Sequence, residues 1–567
     1  MRVRTAFGLL VFAAAATTAV AAEPVPPAPA YQAFDLGTHH RAVSTSNADA
    51  QKAFDQGLLW SFSFNHGDAE RAFREAARLD DTLAAAWWGI ALVNGPHINN
   101  ATVDEAHAKV AWEALAEAKK RRESASDVEK ALIDALGARY AWPQPADRHA
   151  LDEAYAAAMA DVFQRFPKDA DVATLYAEAL MDVRPWDQWT REGQPQPGTL
   201  EVIQALETAR GLNPDHPGAL HLTIHALEAS PQPERAREAA DRLRNLVPDA
   251  GHLVHMPSHI DVRLGRWPEA AVANEKAMAA DARYHARKLE PGFWALYMAH
   301  NEHFLGYTAM MEGRREAALD HMQGVVTMFP GEFVKENAVF MDAFMTAHLE
   351  ALKRFGEWQA ILDDKPVVEG LPVSTAHRHM VRAVALSALG RLKEAEKEAA
   401  AFRTSVAAIS KEAAWGSNTA AGAMAVGLPY VEGEIAYWKG NKTAAIAKLR
   451  QAVALEDGLK YDEPPALTVP TRHSLGAVLI ASRRYADAEA VYRDDLKRYP
   501  ENGWSLRGLA QALEAQGKRA EAEEVKARLA KAWARADVVV DSSCLCIRPS
   551  SVTAPRRDHP ASSTPRR

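Results

Sequence analysis

A period of thirty-four residues constrains this chain more than any other feature. His221 and His225 in "HLTIHALEAS" recur as His255 and His259 in "HLVHMPSHIDVRLGR", each 34 residues further on. The same period orders most of the sequence. A unit over 50–83 carries Gly57 and Trp60 in its first half and Ala69, Phe73 and Ala76 in "DAERAFREAARLD". A unit over 469–502 places Gly476, Ala488 and Tyr492 at the positions of Gly57, Ala69 and Phe73, and ends near Pro500. Units 426–459 (Gly433) and 503–536 (Ala510) flank it, and units 342–375 (Trp358) and 376–409 (Gly390) abut. In the middle, Pro248 closes unit 217–250, Gly265 lies at position 15 of unit 251–284, and Gly306 and Gly313 set unit 299–332. The 84–200 region is more degenerate, with a repeat junction near 169/170 and a Pro/Gly/Trp-rich loop at 184–198. The units are rich in Ala, Leu, Glu and Arg, all good helix formers, and no β-alternation appears. One helical hairpin cannot bury its own apolar stripe, so neighbouring units must stack into a continuous core.

The Ala–aromatic–Ala spacing of four and three in "DAERAFREAARLD" resembles the second helix of a tetratricopeptide repeat. Gly57 and Trp60 match the small and large residues of the first helix. The resemblance covers most of the length. It implies an all-α solenoid, a right-handed superhelix of helix-turn-helix repeats, over 47–536. It also implies a concave groove lined by positions 2, 5, 9 and 12 of each first helix, able to take a peptide, protein or small ligand.

The two ends read differently. Arg2 and Arg4 precede the apolar run "AFGLLVFAAAATTAV", and "AVAAEP" offers cleavage after Ala21 or Ala22, the pattern of a signal peptide over 1–22. A linker is expected over 23–46 and a disordered Ser/Pro/Arg-rich tail over 537–567. The mature protein is therefore expected to be exported, periplasmic or secreted, without a membrane span. A net charge of −8 offers no basic footprint for nucleic acid. Two cysteines, Cys544 and Cys546, supply no disulfide framework.

Numbered within their units, the histidines fall on the groove positions that the resemblance implies. His221, His225 and Glu228 are positions 5, 9 and 12 of one unit; His252, His255 and His259 are positions 2, 5 and 9 of the next; His300 and His303 are positions 2 and 5 of unit 299–332. Neutral imidazole is a common metal ligand, and His pairs at i,i+4 chelate one ion from one helix. All-nitrogen ligation favours Zn, Cu, Ni or Fe over Mg or Ca. The favoured reading is an exported scaffold or binding protein whose His-rich groove holds a transition metal. The alternative is a periplasmic metalloenzyme with Glu228, Glu178 or Glu302 as general base. Two plainer readings stand beside these: a pH-responsive or peptide-binding His groove, and stacked core histidines without a ligand.

"HMPSHIDVRLGR", "RPWDQW", "HLTIHALEASP", "AHNEHF" and "YDEPP" together resemble a group of exported bacterial tetratricopeptide proteins that carry a His-x-Pro-Ser-His-Ile segment. The resemblance implies exported repeat architecture and a shared His pattern, and no particular reaction. Catalytic signatures are missing. Leu222 stands where a His-Glu-x-x-His motif needs its glutamate, and there is neither a phosphate loop nor a nucleophile elbow. Ser258 at position 8 reads as packing and His473 as an ordinary groove residue. Trp186 and Trp189 read as loop anchors, and His97 as part of the inter-helix loop 94–100.

Overall fold

Asparagines start the first helical hairpin. In the computed structural model, which describes residues 33–287 and 292–547, the Asn47 side chain accepts from Asp49 and Ala50 N–H to begin helix Ala48–Phe62. Asn65 accepts from Asp68 N–H to begin His66–Leu79. Between them Phe64 holds φ at 59°, a conformation costly for a bulky residue. The expected signal peptide lies outside the described residues.

Packing inside four of the hairpins follows one rule. A glycine on the first helix lies against the residue sixteen positions later on the second: Gly57 on Phe73, Gly306 on Met322, Gly433 on Leu449, Gly476 on Tyr492. Phe73 is gripped from its other side by Gly89, and Tyr492 by Gly508, which belong to the next units. The missing side chains let the helices approach until one large side chain, an aromatic ring at Phe73 and Tyr492, fills the space between them. This is tetratricopeptide-type packing, and the chain is an all-α array of such helix pairs. Its described strands are two residues each, Ala414–Trp415 and Asn418–Thr419.

Several helices depart from the 34-residue frame. Trp294–Glu312, Pro372–Ala388 and Ala420–Trp438 begin ahead of units 299–332, 376–409 and 426–459. In unit 251–284 the first helix is interrupted at Met256, giving Gly251–His255 and Pro257–Arg263, because Pro257 has no N–H to continue the ladder. Gly265, at φ +72°, then turns the chain into Trp267–Ala286.

Two compact units emerge: residues up to 304 with the short segment 460–463, and residues 305–459 with 464 onward. The first unit closes on itself. Trp60 of its first helix meets Trp294 with ring centroids 6.1 Å apart. Tyr284 donates its hydroxyl to Asp68 at 2.7 Å. Helix Ala48–Phe62 also lies against Pro217–Glu228, where the Phe62 carbonyl meets His221.

Two sequence expectations are corrected. Residues 33–46, expected to belong to a linker, are strapped across the first unit. Phe34 and Leu36 are buried, and Arg41 pairs with Asp169 and Asp171, each at 2.9 Å. Residues 537–547, expected to be disordered, pack into the second unit, with Val538, Val540 and Cys544 through Ile547 buried. The run of apolar residues there outweighs the polar composition of the rest of the tail, which lies outside the described residues. Cys544 and Cys546 are joined by a disulfide. No helix among the described residues is long and apolar enough to cross a membrane.

Candidate metal centre

The repeat builds the same three-histidine constellation twice. His221 and His225, one turn apart on helix Pro217–Glu228, converge with His252 from the next unit. His255 and His259, at the same two positions one unit later, converge with His300 from the unit after that. Each triad is thus an i,i+4 pair at positions 5 and 9 completed by position 2 of the following first helix. Within each, the nearest nitrogens lie within 4.8 Å of one another. The triads adjoin: the rings of His252 and His255 are 6.0 Å apart, and those of His225 and His259 6.1 Å. His303 belongs to neither. It repeats position 5, but Tyr307 stands at position 9 of its unit, so no third pair forms.

Hydrogen bonds fix how the rings face. His221 Nδ1 donates to the Phe62 carbonyl at 2.7 Å, and His225 Nδ1 to Glu228 Oε1 at 2.8 Å. Their Nε2 atoms, and both nitrogens of His252, are buried without a hydrogen-bond partner. His255 Nδ1 donates to Asn274 Oδ1 at 2.6 Å, and His259 Nδ1 to Glu228 Oε2 at 2.5 Å. With both Nδ1 atoms committed, the Nε2 atoms of His255 and His259 approach to 2.6 Å. Two bare lone pairs do not approach that closely; something positive, a proton or a cation, must lie between or beside them.

Two carboxylates govern this edge. Glu228, fully buried, spans both triads with one oxygen on each. It therefore touches the outer nitrogens of the rings, whereas the sequence pattern placed it among the ligands. Glu463, from the short segment 460–463, also contacts His259 Nδ1. It was not singled out from the sequence, although it lies in the "YDEPP" stretch; 204 positions separate it from His259 along the chain. Burial lowers the affinity of His259 for a proton, yet Glu463 and Glu228 outweigh it and push its pKa up to about 10. Burial, partly offset by His259, pushes Glu463 up to about 7. The other imidazoles go the opposite way. Burial, then neighbouring histidines, lower His221, His252, His255 and His300. Burial and then His259 bring His225 to about 3, and burial brings His303 to about 4. Neutral imidazole is the form that ligates.

Apart from the half-buried His300, the stripe does not line an open groove, contrary to the expectation from the sequence. His221 and His255 are 0% exposed, and His225, the most accessible of the first triad, is 6%. Closure of the first unit covers them. Phe64 lies 4.6 Å from His221, Tyr297 4.4 Å from His252, and Phe304 5.1 Å from His255, as ring centroids. Trp186 adds an edge at 5.4 Å from His225 and donates to Asn99 at 2.9 Å, while Trp189 anchors on the Ala226 carbonyl. His97, read from sequence as loop punctuation, stacks on Phe64 at 4.5 Å. Glu178 and Glu302, the other candidate bases, belong to none of the metal-capable clusters among the described residues.

No family model matches the chain, and no curated protein does. Among solved structures, human IFIT1, a dimer with m7Gppp-AAAA, is 14% identical over 86% of this chain and 91% of its own, with a TM-score of 0.31. A chain of the APC/C hetero-tetramer Cut9–Hcn1 is 12% identical over 85% of this chain and 76% of its own, with a TM-score of 0.30. The fold assignment rests instead on the helix packing within this chain.

Proposed function

We propose that this is an exported helical-repeat metalloprotein that holds two transition-metal ions in the interior of its first unit, one in each histidine triad. The observation that carries the reading is the orientation of the rings. Three imidazoles, His221, His225 and His255, have Nδ1 tied to Phe62, Glu228 or Asn274, which leaves their Nε2 lone pairs turned to a buried interior, and Glu228 orients His259 in the same way, so that an ion there takes the place of its Nε2 proton. Outer hydrogen bonds of this kind fix the tautomer of metal-ligating histidines. Zn, Cu, Ni and Fe suit an all-imidazole set. The basic and apolar pattern of residues 1–22 supports export.

Elemental analysis of protein made in metal-replete medium tests this. The wild type should carry about two ions per chain, from two three-nitrogen sets. His225→Ala and His255→Ala should each remove one, and His303→Ala neither. Absence of stoichiometric metal from the folded wild type, or equal loss in His303→Ala, would overturn the reading.

A further inference from the structure

The second unit contains a buried cluster of a different chemistry. Cys544 and Cys546, on the C-terminal segment, lie against Glu434 of helix Ala420–Trp438, with donor atoms within 4.8 Å of one another. Glu434 is fully buried and forms no ion pair among the described residues. Its Oε1 is 3.1 Å from Cys546 Sγ, and its Oε2 has no hydrogen-bond partner. Ser474 Oγ lies 3.2 Å from Cys544 Sγ and 3.4 Å from Cys546 Sγ, and 3.2 Å from the Tyr430 hydroxyl.

An acid buried against two sulfurs needs a reason, because burying a polar oxygen without a partner is costly. A disulfide sulfur carries no proton to give the carboxylate. A cation held jointly by the sulfurs and the carboxylate would compensate the buried acid. The segment is held from both sides: Arg354 Nη2 donates to the Ser543 carbonyl at 2.6 Å, and Trp438 Nε1 to the Cys546 carbonyl at 3.0 Å.

The geometry points to a second kind of metal site, in which the reduced Cys544 and Cys546 and the Glu434 carboxylate bind one thiophilic divalent ion of the zinc class. Two thiolates and one carboxylate oxygen are a tetrahedral zinc-type donor set with one position left. The disulfide is the metal-free, oxidised state of the same residues. Conversion is balanced. A dithiol reductant transfers two electrons and two protons to the S–S bond and becomes a disulfide itself. The two protein thiols then release two protons as they ligate the ion. The site is independent of the histidine triads and stands whether or not they bind metal.

Cobalt(II) is the probe, because thiolate-to-cobalt charge transfer gives a near-ultraviolet band that imidazole ligation does not. The full chain, reduced with a dithiol that is then removed under anaerobic conditions, should develop this band up to one equivalent. The oxidised chain should not. Cys544→Ser/Cys546→Ser should abolish the band with helical circular dichroism unchanged, and Glu434→Gln should weaken binding at least ten-fold. A reduced, folded wild type without the band overturns the site. A band of undiminished affinity in Glu434→Gln overturns the assignment of the carboxylate.

Discussion

At the scale of single residues, Glu228 and Asn274 are as informative as the histidines they hold. Asn274 bonds one ring of the second triad, and also its own helix through the Ala270 carbonyl at 2.8 Å, so its amide is locked. Glu228 bonds one ring of each triad. The two should therefore fail differently. Loss of an outer partner costs about 10- to 100-fold in metal affinity. In competitive chelator titrations, Asn274→Ala should weaken one of the two ions by that amount, and Glu228→Gln should weaken both. Equal effects of the two variants would show that Glu228 does not couple the triads. The common register of the histidines was legible from the sequence, because the repeat phase numbers them and the tetratricopeptide resemblance implies that positions 2, 5, 9 and 12 share one stripe. The role of Glu228 was not. Position 12 places it on the stripe, but only the ring orientations show that its oxygens meet outer nitrogens.

At the scale of elements, the packing of an aromatic ring between two glycines sets the spacing of hairpins. A Cβ on Gly57 would lie 2.6 Å from Phe73, and one on Gly89 would lie 2.6 Å from the same ring. Alanine at position 57 would gain about 1 kcal/mol of helix propensity. The ring cannot retreat, however, because Gly89 already holds its far side, and overpacking a tight core costs about 1–3 kcal/mol. Gly57→Ala should therefore lower stability, measured as the urea midpoint at constant slope. A stabilised variant would mean that the hairpin opens to admit the methyl group. These glycine contacts were anticipated in kind by the unit spacing. The interruption at Met256–Pro257, and the early starts of Trp294–Glu312 and Ala420–Trp438, were not, since local capping and turn geometry shift an end without disturbing the repeat.

At the scale of the whole molecule, closure of the first unit carries electrostatic consequences. Asp281 on helix Trp267–Ala286 accepts from Asn301 on Trp294–Glu312 at 2.8 Å. Burial raises its pKa to about 7, partly opposed by Asn301 and Arg283. Between 3.8 and about 7 the folded chain thus holds a proton that the unfolded chain has released, so this group's contribution is complete at low pH and is lost as pH rises through 7. Asp281→Asn removes the titration. It should gain on the wild type by up to about 4 kcal/mol between pH 4 and pH 8, in paired urea melts. A difference independent of pH would mean that Asp281 is ionised in the fold. The all-α class, the 34-residue unit and the common register of seven histidines came from the sequence alone, because each depends on periodicity along one chain. Tertiary structure alone decided that the stripe is enclosed, that Glu463 reaches His259, and that residues 33–46 and 537–547 are packed. Each of these depends on which distant segments meet, and a local pattern carries no record of that.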